Sequence, residues 1–590
     1  MKQFFGAFFG SIIGIVVATV VALIIVIAVV KSSFSDITGE EKDKEVKKGS
    51  VLRISMDGPI TDRQALNPFE ELGSLASLGE ESGLGLNVLI KKIKEAATDE
   101  NISGIYLEFK EPEVGFAALE ELRNAMLEFK KSGKFIYTYG EYYTQKHYYL
   151  ASVSDKVFLN PQGMFDWKGL HMNLMFFKQS FQKLDLDVQV FRHGKYKSAV
   201  EPFMLDKMSE ANRAQSESFL NSIWGNMLVN IAKERKLTVD ELNRMANQLS
   251  VLQPTDALGK FVDVLAYEDE VMDALKTKTG LKVKDKVAFV NLSDYKGPKK
   301  KPGKTRSPKI AVVYAIGGIG SGEGDDEEIG SDRLAKAIRE ARLDSTIKAV
   351  VLRVNSPGGS ALASEIIWRE MDLCKKVKPT VVSMGNVAAS GGYYISCAAD
   401  RIFAQPNTIT GSIGVFGLLP SFKRMLENKL GITLDTVNTN AYSDVASGLR
   451  PLTEKEINYI QTGVEKVYDT FTLRVAEGRG MNQADVDSIG QGRVWSGVEA
   501  LKIKLVDELG GLEEAIAYAA KKANTKEYKI QELPKQTNPL DDLMGKKEKE
   551  AETRLMQKNL GPTYMYLKQL QNLLKLNGVQ ARLPFEMDIQ

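Results

Sequence analysis

Short apolar runs alternate with amphipathic stretches along most of this chain. Ile347 to Val354 and Thr380 to Met384 are rich in Val and Ile without interruption, the pattern of strands buried on both faces. Ala361 to Val377, between them, reads as a helix. The same order occurs earlier: Ile102 to Phe109, a helix near Phe116 to Lys130, then Phe135 to Tyr139. Strands alternating with helices predict parallel βαβ units, hence an α/β fold. VLRISMDG (Val51 to Gly58) opens the first series and KIAVVYAIGG (Lys309 to Gly318) the second.

The two series are copies. YGEYYTQKHYYLASVSDKVFLNP (Tyr139 to Pro161) matches MGNVAASGGYYISCAADRIFAQP (Met384 to Pro406), and Phe261-Val262-Asp263 matches Leu505-Val506-Asp507. In this register Ser390 stands opposite Gln145. Aligning Leu184 to Phe203 with Leu430 to Leu449 sets Lys197 opposite Ser443. Only the second copy therefore offers a serine at the first place, and only the first offers a lysine at the second. At 590 residues the chain is too long for one core. The expected division is a first repeat over 50–290, a linker over 291–308 containing GPKKKPGKTRSP, a second repeat over 309–525, and a charged, helix-prone tail over 526–590 with no assigned activity.

The run from Phe4 to Val30 carries no charge and is long enough to span a bilayer. A secretory signal would have a shorter apolar core and a small-residue cleavage site, so 1–31 reads as an uncleaved membrane anchor. Lys2 and the terminal amine flank it on one side; Lys31, Lys42, Lys44, Lys47 and Lys48 lie on the other. Taken alone, that tally would hold the bulk of the chain in the cytoplasm.

Composition narrows the chemistry. Lys and Arg (78) nearly balance Asp and Glu (76), so no global charge points to nucleic acid. Cys374 and Cys397 have no metal-ligand spacing and read as buried small hydrophobes. The three histidines, His147, His171 and His193, all fall in the first copy, without zinc-ligand spacing, so neither metal nor cofactor is implied. A hydrolase built on this chain need not use histidine as its base.

Two small-residue turns follow successive strands. NSPGGS (Asn355 to Ser360) is one; its plainest reading is a strand-to-helix turn capped by Ser360. MGNVAASGGYY is the other, and it sets Ser390 at the start of a helix. Backbone N–H groups of Gly359 and Gly391 could converge there on an oxyanion. A lysine serves as base if burial makes its ammonium form costly. Lys197 is singled out by its setting in YKSAVEPF.

NSPGGS, GNVAASGGYY, TGSIGVFG (Thr410 to Gly417) and YKSAVEPF, in their places, resemble the long, duplicated form of the signal peptide peptidase A family. This is peptidase family S49, within the ClpP/crotonase superfamily. The resemblance implies two tandem ClpP/crotonase-like repeats behind one transmembrane helix. It implies a serine endopeptidase with Ser390 as nucleophile and Lys197 as general base. Ser412 would hold the lysine, and Gly359 and Gly391 would be the oxyanion donors. It implies signal peptides and other hydrophobic peptides as substrates, and a homotetramer in the bacterial inner membrane. The catalytic domains would be on the periplasmic side, against the charge tally. Two alternatives stand beside it: a crotonase-like acyl-CoA enzyme, and a non-catalytic membrane scaffold.

Overall fold

The computed structural model of the chain describes residues 46–66, 83–298, 307–536 and 579–583. The apolar run at the N-terminus lies outside these residues. Among the described residues, no helix is long and apolar enough to cross a membrane.

Each copy is a parallel sheet packed against helices. In the first, Ser50–Thr61, Ile102–Glu113, Phe135–Tyr143 and Lys156–Phe165 lie side by side in chain order. In the second, Lys309–Ile316, Ile347–Ser356, Thr380–Ala389 and Arg401–Ala404 do the same. Val350 to Val354 are fully buried because strands lie on both sides and helices cover the faces. The repetition extends to the margins. Phe289–Asn291 adds in parallel to the first strand of the first copy, as Lys529–Leu533 does to the first strand of the second. The second copy's sheet thus draws a strand from beyond residue 525. Each copy also carries a 26-residue helix, Glu210–Arg235 and Glu454–Arg479, capped by Ser209 and Thr453. Cys374 and Cys397 are buried free thiols.

A third, six-stranded sheet joins the copies. Asp187–His193 of the first copy runs antiparallel to Val415–Ser421 of the second, in unbroken register from His193↔Val415 to Asp187↔Ser421. Gly358–Ser360 belongs to the same sheet. Gln580–Arg582, near the end of the chain, lies antiparallel between Gly358–Ser360 and Val415–Ser421.

Two further devices lock the copies together. The helix Phe116–Lys130 has Gly115 at its N-cap and so no capping side chain of its own. Asn386, from the second copy, accepts hydrogen bonds from Ala117 N (3.1 Å) and Ala118 N (3.0 Å) instead. Arg353 of the second copy, 1% exposed, pairs with Asp62 and Glu121 of the first, each at 2.6 Å, and donates to Ser383 Oγ.

Candidate active site

The inter-copy ladder decides where Lys197 goes. The chain leaves Asp187–His193 at the seam, turns through Gly194 (φ 107°), and enters the buried 3-10 turn Ser198–Val200. Tyr196 N donates to Gln491 O (2.8 Å), tying that turn to the second copy. Gln215 holds it from the other side: its Nε2 donates to Tyr196 O and Ser198 Oγ, and its Oε1 accepts from Val494 N. Gly492 packs so closely that a side-chain carbon there would lie 2.6 Å from Lys197 N and 2.7 Å from Lys197 Cα. Only glycine fits that approach, and its φ of 78° also favours glycine.

The result is a lysine with no exposed surface. Lys197 Nζ donates to Ser390 Oγ at 2.8 Å, to Ser412 Oγ at 3.0 Å and to Ser412 O at 3.2 Å. Burial alone pushes its amine well below the usual lysine range. An amine whose protonated form is disfavoured by burial, and which touches a hydroxyl, can take up that hydroxyl's proton.

Ser390 ends the strand Thr380–Ala389 and begins the helix Gly391–Ser396. Its backbone sits at φ 55°, ψ −115°, a conformation costing about 1–3 kcal/mol for a residue with a side chain. Ser390 N donates to Gly411 O (2.8 Å), which holds the turn in this shape. Ser412, at φ 50°, is fixed by its own N–H to Arg493 O (2.7 Å).

The glycine turn of NSPGGS lies against this serine turn. A side-chain carbon on Gly358 (φ 95°) would lie 2.7 Å from Gly391 N, so glycine alone lets the two backbones meet. Gly358 N–H is taken by Ser356 Oγ (3.1 Å). Gly358 and Gly391 thus bring their backbones together beside Ser390, with Gly359 the next residue along the strand, while Ser360 caps the following helix through Ala363 N (3.3 Å).

The structure brings Ser390, Lys197 and Ser412 into contact within a single chain, with Gly391 next to Ser390 and Gly359 following the glycine that packs on Gly391. Sequence reasoning missed Gln215 and Gly492, which fix the lysine. The cue for Gly492 was the spacing of Gly490 and Gly492 just before the strand Val494–Ser496; nothing marked Gln215. The counterpart places are otherwise occupied. Gln145 is buried and closes on a local loop, accepting from Lys168 N and Gly169 N and donating to Gly169 O. Ser443 is exposed and donates to Asn440 O. The histidines are engaged elsewhere: His147 stacks on Phe109 and His193 on Tyr468, where it also pairs with Glu465, while His171 is exposed.

A parallel α/β fold with a buried serine–lysine contact and no histidine beside it is the frame of a serine hydrolase of lysine-dependent type. The model of peptidase family S49 matches this chain twice, over residues 128–282 and 372–526. "Protease 4" of Salmonella typhi is 35% identical over 86% of this chain and 84% of its own length. "Protease 4" of Haemophilus influenzae is 35% identical over 84% and 82% respectively. The chloroplastic serine protease SPPA of Arabidopsis thaliana is 33% identical over 85% of this chain and 74% of its own. A ClpP1 mutant of Listeria monocytogenes covers 35% of this chain at 16% identity, with a TM-score of 0.24, too low to argue from. The chain belongs to peptidase family S49, in its duplicated form, and is a serine peptidase.

Proposed function

We propose that Ser390 is the nucleophile and Lys197 its general base, in an endopeptidase that degrades signal peptides and other apolar peptides at a membrane. The observation that carries the assignment is the contact between a wholly buried lysine amine and the hydroxyl of a serine held at a strained turn. Neutral Lys197 takes the Ser390 proton as Oγ attacks the peptide carbonyl. The oxyanion is held by the N–H groups of Gly359 and Gly391. The intermediate collapses, Lys197 gives the proton to the leaving amine, and an acyl-enzyme remains. Water, deprotonated by the same lysine, then hydrolyses the ester. Ser412 keeps the amine aimed at Ser390 through both steps.

A membrane setting is supported by the uncharged run from Phe4 to Val30, and signal-peptide substrates by the printed name of a relative from Enterococcus faecium, "Putative signal peptide peptidase SppA". On this reading the chain is a single-pass protein of the bacterial inner membrane with its catalytic domains on the periplasmic side. Assembly into a homotetramer is supported by an asymmetry between the copies. Residues 433–439 are the second copy's counterpart of Asp187–His193, yet they form no strand and are exposed. Residues 170–176, the first copy's counterpart of the start of Val415–Ser421, form no strand either. Two complementary segments that do not pair with each other on one chain suit head-to-tail contacts that close into a ring.

Hydrolysis of a synthetic signal peptide in detergent micelles tests the reading. The wild-type chain cleaves it, and Ser390→Ala and Lys197→Ala each lower kcat/KM by at least about a thousandfold. A folded wild-type protein that leaves the peptide intact contradicts it.

A further inference from the structure

The loop 490–493 of the second copy holds the lysine turn and Ser412 at once. Gln491 O accepts from Tyr196 N (2.8 Å), one residue before Lys197. Arg493 O accepts from Ser412 N (2.7 Å), and Gly492 N donates to Ile413 O (2.7 Å). A shift of this loop therefore moves the lysine amine relative to the hydroxyl groups it touches. Yet Gln491 sits at φ 51°, in the left-handed region that residues with side chains disfavour. Its neighbours must hold it there.

Asp487 does so from the last turn of the helix Gln483–Ile489. Its Oδ1 accepts from Gln491 Nε2 and from the Tyr468 hydroxyl, each at 2.5 Å. The Tyr468 oxygen in turn accepts from Gln491 N (3.2 Å), so the side chain and the backbone of Gln491 are gripped together. Gln491 Oε1 accepts from Lys195 N (3.4 Å), in the lysine turn itself. Tyr468 is buried on the long helix Glu454–Arg479, and its ring stacks at 3.8 Å on His193, which ends the strand leading into that turn. Burial, and then the Asp487 carboxylate, push the phenol up, so it stays a donor to Asp487.

The first copy shows what this arrangement adds. In the register of the two 26-residue helices, Trp224 stands where Tyr468 does, and Asn243 stands where Asp487 does. Trp224 Nε1 donates to Asn243 Oδ1 (3.3 Å), so the tie between neighbouring helices is present there too. Of the two copies, only the one that receives the lysine has the carboxylate and the phenol. A neutral tie is enough to join the helices. The charged acceptor adds a grip on a strained residue that bears on Lys197.

We propose that Asp487, together with Tyr468, is a positioning residue for the peptidase reaction, holding Lys197 within reach of Ser390 through Gln491. The inference rests on the peptidase reading of Ser390 and Lys197. It assigns Asp487 no proton transfer and no contact with substrate; its part is to keep the loop in the one shape that presents the amine to both serines.

Kinetics of the full chain on the synthetic signal peptide, followed against pH, test this. Asp487→Ala is expected to lower kcat at pH 7 by about 10–100-fold with KM within about twofold of wild type, the mark of a misplaced group rather than of lost binding. The pH midpoint of kcat should rise as well, since a loosened turn lets water reach Lys197 Nζ. Asp487→Asn, whose oxygen can still accept from both donors, should recover most of the loss. Tyr468→Phe should lower kcat in the same way and add little to Asp487→Ala, because the two act through one loop. A folded Asp487→Ala variant with wild-type kcat and midpoint overturns the proposal and leaves the peptidase reading standing. A loss that leaves the midpoint in place and is not recovered by Asp487→Asn also overturns it, since it marks packing alone. A folded wild-type chain that leaves the peptide intact overturns both readings.

Discussion

Lys197 sits where a charge is least welcome, and that placement has a thermodynamic consequence. Its amine is held well below the usual range by burial, so the unfolded chain binds a proton that the folded chain refuses. Stability therefore rises with pH from the lowered folded value up to the unfolded value of about 10.4. Lys197→Met removes this burden. The variant is expected to be inactive yet to have a higher Tm than wild type at pH 7, and the gap should shrink as the pH approaches about 10. Thermal melts across that range check it; a variant less stable than wild type at every pH shows that the lysine's hydrogen bonds outweigh its burial. Ser390 and Lys197 were legible because distinctive motifs surround them and because each lacks a match in the other copy. Gln215 and Gly492 were not, since an amide and a glycine acquire meaning only from what they touch.

Between elements, the parallel sheets follow directly from the apolar runs, whose burial on both faces writes them into the sequence. The third sheet left no such trace. Asp187–His193 and Val415–Ser421 pair through backbone groups across the two copies, and most side chains of the first strand are only half buried. Gln580–Arg582 has no apolar signature at all, and the region containing it read as a charged tail. The helix Phe116–Lys130 shows the same cross-copy logic, since Asn386 supplies its missing cap. Asn386→Ala is expected to cost about 0.5–2 kcal/mol, the usual worth of an N-cap side chain. Chemical denaturation should read this as a lower midpoint with unchanged slope. A loss below about 0.3 kcal/mol would mean that water caps the helix as well as Asn386 does.

At the scale of the molecule, the seam between the copies carries a shared sheet and a set of buried, mutually paired charges. Asp62 and Glu121 of the first copy face Arg353 of the second with almost no solvent contact. Removing one carboxylate leaves a buried charge short of its partner, and Asp62→Ala is expected to cost about 3–5 kcal/mol. Replacing Asp62, Glu121 and Arg353 together by apolar residues of similar volume should cost less than that single change. Denaturation midpoints of the two variants decide this; the opposite order would show that the charges stabilise the seam rather than specify it. The duplication thus looks like repetition in sequence and acts as division of labour in space. One copy contributes the lysine, the other the serine, and the seam holds them 2.8 Å apart.

The most direct test of that division is the rate at which a fluorophosphonate labels Ser390, followed by peptide mass mapping as a function of pH. In the wild-type chain, labelling should rise with pH through a midpoint well below about 10.4, as Lys197 loses its proton. Lys197→Ala should show no labelling at neutral pH although its Ser390 is untouched. Labelling of Lys197→Ala at the wild-type rate, or a wild-type midpoint at the ordinary lysine value, would contradict the account.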